Sequence, residues 1–355
     1  MEKTRFRYSF NSEKIILLIC VILLTTGCAT KIALNMLQPA EYHQASLAKT
    51  VAVLPFTGPG GQQITSEIEG VLGSISIDGK NYFTLVDRTA INKVLSEMKL
   101  NQSGMVDQST AAKVGKLIGA QGIYTGAVTQ SNSTEGQYTE ERSECSQYAQ
   151  KCDAKGNCRQ GNCLQWREYN VNCTKRSGYF AFTPKLIEVQ TGKIIYTRDI
   201  NGSATSSGCT DGTPAKSGSE LIGQSIAIAK AEFRKDIAPY YIVHEIKLMD
   251  STNGIDSSRA KDKLKQGIDY AGKKRLDAAC ELWGEADTIA PNSPSITYNL
   301  GVCAESRGDL VAALSLYKKA DKLLGKPDDN ITLALTRVSQ AIKNQEKLKE
   351  QLRNK

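Results

Sequence analysis

Histidine and tryptophan are nearly absent from this 355-residue chain: there are two of each, and aromatic residues make up only 6%. The two histidines, His43 and His244, stand beside no Ser or Cys nucleophile motif, so both are expected to be structural. No Cys-x2-Cys pair occurs, which removes the commonest thiolate frame for zinc. Gly58-Pro59-Gly60-Gly61 joins a strand pattern to a helical one, as a dinucleotide loop would. Gln63 stands where the third glycine belongs, however, and no Gly-Lys-Ser/Thr follows. It reads as a turn. These gaps point to a chain that is not an enzyme, with no cofactor and no resident metal. What is present is globular, at 40% hydrophobic and 23% charged residues, with length for two or three domains.

The formal charge of +8 includes about +2 from the first 27 residues, and the rest is spread thinly. No nucleic-acid partner is expected. A basic stretch, residues 1–14, precedes ten unbroken apolar residues, 15–24, a length suited to a signal peptide and too short for a bilayer span. Thr25-Thr26-Gly27-Cys28 then resembles a bacterial lipobox, with Thr25 where Leu is usual. The expectation is a signal peptide over 1–27 and acylation of Cys28, palmitate included, which anchors the chain durably to a membrane. Ala29, in place of a retention Asp, points to the periplasmic face of the outer membrane.

Ten cysteines are unevenly placed. Cys145, Cys152, Cys158, Cys163, Cys173 and Cys209 crowd a polar stretch that has too few apolar residues to order itself. In an exported protein such an even set reads as a disulfide frame, with fifteen pairings open. Two strands, 137–145 and 164–174, closed by a bonded tip would form a hairpin. Cys280 and Cys303 are a second candidate pair, or buried free thiols.

Residues 28–48 show no periodicity and read as a tether. The apolar run 50–56 reads as a strand covered on both faces, followed by an amphipathic helix over 62–77, a strand over 82–86, helices around 91–98 and 110–118, and a strand over 122–129. After the polar insert, 131–176, two strands over 178–189 and 193–203 are joined by Gln190-Thr191-Gly192. A helix over 217–234 and a strand over 240–247 close the unit. The whole, 49–250, is expected to be an α/β domain with a mixed sheet and flanking helices.

From residue 257 the chain repeats. Gly267 and Gly301, Ala279 and Ala313, Trp283 and Tyr317, and Ala286 and Ala320 are each 34 apart. That period, with small residues where paired helices cross, resembles the tetratricopeptide repeat, with a capping helix over 330–348. Such an all-α array implies a partner groove for a protein or peptide, lined by Lys261, Leu264, Ile268, Ala271, Ser295, Tyr298, Val302 and Glu305. A packing or dimerisation role is equally open. The basic tail, 337–355, reads as a solvated helix face.

The α/β part resembles the CsgG family of bacterial lipoproteins. The resemblance rests on Pro39-Ala40-Glu41, Val51-Ala52-Val53-Leu54-Pro55-Phe56, Phe83-Thr84-Leu85-Val86-Asp87-Arg88, Gln102-Ser103-Gly104-Met105-Val106-Asp107, residues 112–120, Leu186-Ile187-Glu188-Val189 and Asp236-Ile237-Ala238-Pro239. It implies a periplasmic domain and, in the curli secretion member, a ring of subunits donating hairpins to a transmembrane barrel. Here the insert is charged throughout, and no lipid-facing band can be drawn. The expectation is an assembly or secretion accessory that binds protein partners and can form a homo-oligomer. The alternatives are an oligomeric secretion channel and an LpoB-like regulator of a peptidoglycan synthase.

Overall fold

The computed structural model describes residues 30–98 and 107–353. These form two compact units, one of residues 39–240 together with the chain from 346, the other of residues up to 38 together with 241–345. The stretch expected to be a tether is not bare. It carries a strand, β1 (Lys31–Gln38), and a short helix, α1 (His43–Leu47). Ile32, Leu34 and Met36 alternate with the exposed Lys31, Ala33 and Asn35, and Leu34 and Met36 are buried, so a three-residue period-2 signal was enough to make a strand.

In the first unit β2 (Thr50–Val53) is covered on both faces, with Val51, Ala52 and Val53 all buried. A glycine turn leads into α2 (Gly61–Ser74), a small hairpin of β3 (Ser76–Ile77) and β4 (Lys80–Asn81), β5 (Thr84–Leu85), and then α3 (Arg88–Glu97) and α4 (Gln108–Leu117). Asp87 and Asp107 cap these last two helices, accepting from the amides of Thr89 and Thr110 at 2.7 and 2.8 Å. Gly119 closes α4 at φ +70°.

The sheet continues with β6 (Gly122–Cys152), β7 (Cys158–Glu188), β8 (Ile194–Thr197) and β9 (Ile200–Cys209), in the order β5-β2-β6-β7-β8 with β9 also on β7. β5, β2 and β6 run parallel and the remaining pairs antiparallel, so the sheet is mixed. Ala52, Leu54, Ile91, Leu95, Val114, Ile123 and Ile187 form a core cluster between the sheet and α3 and α4. Helix α5 (Gly218–Ile237) packs on β7 and β9, where its Phe233 meets Tyr124 and Phe182 at ring-centre distances of 5.6 and 6.1 Å.

The strand β10 (Tyr240–Lys247) lies where it was expected, but it does not close this sheet. It pairs with β1 in a separate two-stranded sheet, and residues 241–345 belong to the second unit. That unit is otherwise helical: α6 (Ser258–Gly272), α7 (Leu276–Ile289), α8 (Pro294–Ser306), α9 (Leu310–Leu324) and the start of α10 (Asp329–Leu352). α6 and α7 form one helical hairpin, α8 and α9 another, and the residues 34 apart occupy matching places. Ala279, Trp283 and Ala286 are fully buried in the first, as are Ala313, Tyr317 and Ala320 in the second. Ser257, Ser293 and Asp309 cap α6, α8 and α9.

Candidate functional site: a disulfide-bonded arm and an occupied groove

The expected hairpin strands are the middle of something longer. β6 and β7 pair from Gly122 opposite Glu188 to Cys152 opposite Cys158, as one antiparallel ribbon with irregularities near Val128 and between Cys145 and Gln150. β9 supports its base as far as Cys173 opposite Cys209. Beyond that point the ribbon is two-stranded for about 50 Å, at about 3.4 Å per residue. Of the fifteen pairings the structure has Cys145 with Cys163, Cys152 with Cys158 and Cys173 with Cys209. The first two lock the ribbon and the third ties the end of β9 to it. Cys280 and Cys303 are bonded across α7 and α8. The Glu140 carboxylate lies with the Cys173 and Cys209 sulfurs in a group the size of a metal site, but those sulfurs are bonded to each other and offer no thiolate.

The register assigns the two faces of the stem. Tyr138, Glu140 and Arg142 oppose Cys173, Val171 and Tyr169, while Gln137, Thr139, Glu141 and Ser143 oppose Thr174, Asn172, Asn170 and Glu168. Each face carries charge, so neither presents an apolar band to lipid. Opposite charges are set against each other: Glu135 faces Arg176, with Oε2 2.6 Å from Nε, and Glu144 faces and bonds Arg167. Arg142 adds contacts to Glu140 at 3.1 Å and Asp211 at 3.4 Å.

The expected partner groove is not open. Leu264, Ile268, Ala271, Ser295, Tyr298, Val302 and Glu305 are buried, and only Lys261 is partly exposed. The chain itself covers them. Leu34 and Met36 of β1, Ile246 of β10, and Leu248 and Ile255 beyond it share one hydrophobic core with these helices. Tyr298 Oη donates to the Lys247 carbonyl at 3.3 Å, and the Asn299 amide brackets the Met249 backbone, donating to its carbonyl at 2.8 Å and accepting from its N–H at 3.0 Å. Glu305 is held by Arg337 of α10 at 2.6 and 2.8 Å and by Tyr317 Oη at 2.6 Å. Burial, with the Glu305 charge alongside, pushes the Tyr317 phenol well up. Sequence reasoning missed Asn299 and Arg337; no short-range pattern marks a side chain whose partners lie tens of residues away.

Gly58 and Gly60 adopt φ +86° and +74°, and a Cβ on Gly58 would stand 2.1 Å from the Val128 carbonyl oxygen, so the turn is filled by the chain's own backbone. The basic tail is not wholly solvated: Gln351, at the end of α10, is fully buried in the α/β unit. Its side-chain oxygen accepts from the Ala40 amide at 2.8 Å, and its backbone carbonyl accepts from Lys49 Nζ at 2.7 Å and Tyr82 Oη at 3.1 Å. Lys49 Nζ also sits 3.4 Å from the centre of the Tyr82 ring, and burial lowers its amine to about 7. His43 Nε2 lies 2.9 Å from Glu350 Oε2. His244, on β10, is held below the usual imidazole range by burial and by the charge of Arg337. Cys28 and residues 102–106 lie outside the described residues.

Residues 75–249 match the family described as "Curli production assembly/transport component CsgG". No curated protein matches the chain in sequence. Among solved structures, the LpoB C-terminal domain from Salmonella enterica is similar at 14% identity and TM-score 0.25, over 53% of this chain and 93% of that one. Lipoprotein GNA1162 from Neisseria meningitidis is similar at 11% identity and TM-score 0.27, over 52% and 97%. The PelC dodecamer from Paraburkholderia phytofirmans follows at 14% identity and TM-score 0.23, over 59% and 98%.

Proposed function

We propose, for a chain that carries a CsgG-family domain over residues 75–249, that it works as a non-catalytic assembly or secretion accessory of the bacterial envelope. In this reading Cys28 is acylated and holds the chain at the periplasmic face of the outer membrane. The observation that carries the choice of accessory over channel is the arm. It is long enough to cross a bilayer, yet both faces of its stem carry charged residues and two of its cross-strand pairs are ionic, which is costly against hydrocarbon. The helical hairpins, read as tetratricopeptide repeats, hold β1 and β10 where such arrays take a peptide, so partners meet the chain elsewhere, on the arm and the α/β unit.

The test is the mass and shape of the full-length lipidated protein in mild detergent, by light scattering and single-particle imaging. A monomer or small oligomer attached only through its lipid is the expected result. A closed ring of many subunits wearing a detergent belt would overturn the accessory reading in favour of a channel. Capture of a peptidoglycan synthase as the sole partner would move the function to the LpoB-like regulator.

A further inference from the structure

The last turn of the arm breaks the charge rule that its stem obeys. Where the stem sets Glu135 against Arg176 and Glu144 against Arg167, the tip sets Lys151 directly opposite Arg159, with Lys155 in the connecting turn. Like charges face to face weaken a ribbon. Here the adjacent Cys152–Cys158 bond holds the two strands together regardless. All three cations are exposed, and among the described residues none forms an ion pair. The carboxylate nearest in sequence, Asp153, is exposed as well but bonds the backbone of its own turn. Its Oδ1 accepts from the amides of Lys155 and Asn157, both at 2.9 Å, and these bonds hold its carboxyl below the usual range.

The same distal segment carries the most exposed large apolar side chains of the arm, Tyr138 of the stem being 37% exposed. Trp166 is 64% exposed, Leu164 63% and Tyr148 45%. They lie on either side of the Cys145–Cys163 bond, so the backbone that presents them is cross-linked. Tyr148, Leu164 and Trp166 lie about 10–25 Å along the ribbon from these cations, and exposed aromatic and leucine side chains on one segment with lysine and arginine outside any ion pair is the composition that seats a peptide lying along a bilayer surface, with rings at headgroup depth and cations on phosphate. An acidic protein surface would match the cations alone and leave the indole and leucine unexplained.

We propose that the tip of the arm docks peripherally on an anionic phospholipid surface, with Lys151, Lys155 and Arg159 on the headgroup phosphates and Leu164 and Trp166 in the interfacial layer. This inference rests on the accessory reading, in which the stem stays outside the membrane: a detergent-belted ring would overturn both, whereas a failed vesicle response with a small lipid-anchored oligomer would overturn the docking alone.

The two tryptophans provide the test, because Trp283 is fully buried and only Trp166 can meet lipid. The full-length protein is mixed with phosphatidylglycerol or phosphatidylcholine vesicles carrying brominated acyl chains, and tryptophan emission is followed. The expected result is a blue shift and quenching of Trp166 with phosphatidylglycerol, weak with phosphatidylcholine, lost in high salt as screened charge requires, and shifted to about a hundredfold higher lipid in K151Q/K155Q/R159Q. A W166F variant identifies the signal. Equal quenching in both lipids, no quenching, or quenching unchanged in the triple variant would each overturn the proposal. So would protection of Trp166 by polyglutamate with no response to vesicles, which would assign the tip to an acidic protein.

Discussion

Trp283 lies across Gly267 so closely that a Cβ on the glycine would stand 2.2 Å from the indole Nε1, and that Nε1 donates to the Leu264 carbonyl at 3.2 Å. Thirty-four residues later Tyr317 lies across Gly301 in the same way, 2.6 Å from where a Cβ would be. The repeat is therefore a repeated contact. Gly267→Ala is expected to destabilise the helical unit by about 1–3 kcal/mol, the usual cost of overpacking a filled core. Urea unfolding of the purified variant measures it; an unchanged midpoint would mean the helices separate freely there.

Cys173–Cys209 closes a loop of 36 residues and is the outermost link between β9 and the ribbon. Replacing both cysteines by alanine should cost about 2–4 kcal/mol. Under non-reducing digestion, mass spectrometry should recover the peptide pairs 145–163, 152–158, 173–209 and 280–303. Any other linkage, or alkylation of several of these thiols in the native exported protein, contradicts the arrangement.

Lys49 should leave a pH signature. Burial lowers its amine from the ordinary 10.5 to about 7, so between those values the unfolded chain binds a proton that the folded chain has released. Stability contributed at this site therefore rises with pH from about 7 to 10.5 and levels off outside that window. The difference in thermal midpoint between the native chain and K49Q should accordingly move in the native chain's favour from pH 7 to pH 9.5. A pH-independent difference would mean that Lys49 stays charged beside Tyr82 and Gln351.

Cys28→Ala should shift the protein out of the acylated membrane fraction and abolish incorporation of labelled palmitate. Persistent incorporation would place the lipid on another cysteine.

The sequence by itself determined the parts whose causes are local. Periodicity placed β2, α3 to α5 and β10; Asp87 and Gly119 marked helix ends because a cap needs only its own first or last turn; the 34-residue spacing marked the helical hairpins. The excess of cysteine over apolar residues marked a disulfide frame, since a polar stretch needs covalent help to hold one shape. Tertiary structure decided what depends on distant partners. It chose three disulfides out of fifteen pairings: the register sets Cys152 opposite Cys158 and Cys173 opposite Cys209, and Cys145 meets Cys163 where the ribbon is irregular. It turned residues 31–38 from tether into strand, because Leu34 and Met36 gain burial only against helices more than two hundred residues away. It moved β10 from the sheet to β1, and it filled the expected groove, because apolar positions that look like a binding surface in one dimension are stabilised most by whichever apolar strand of the same chain reaches them first.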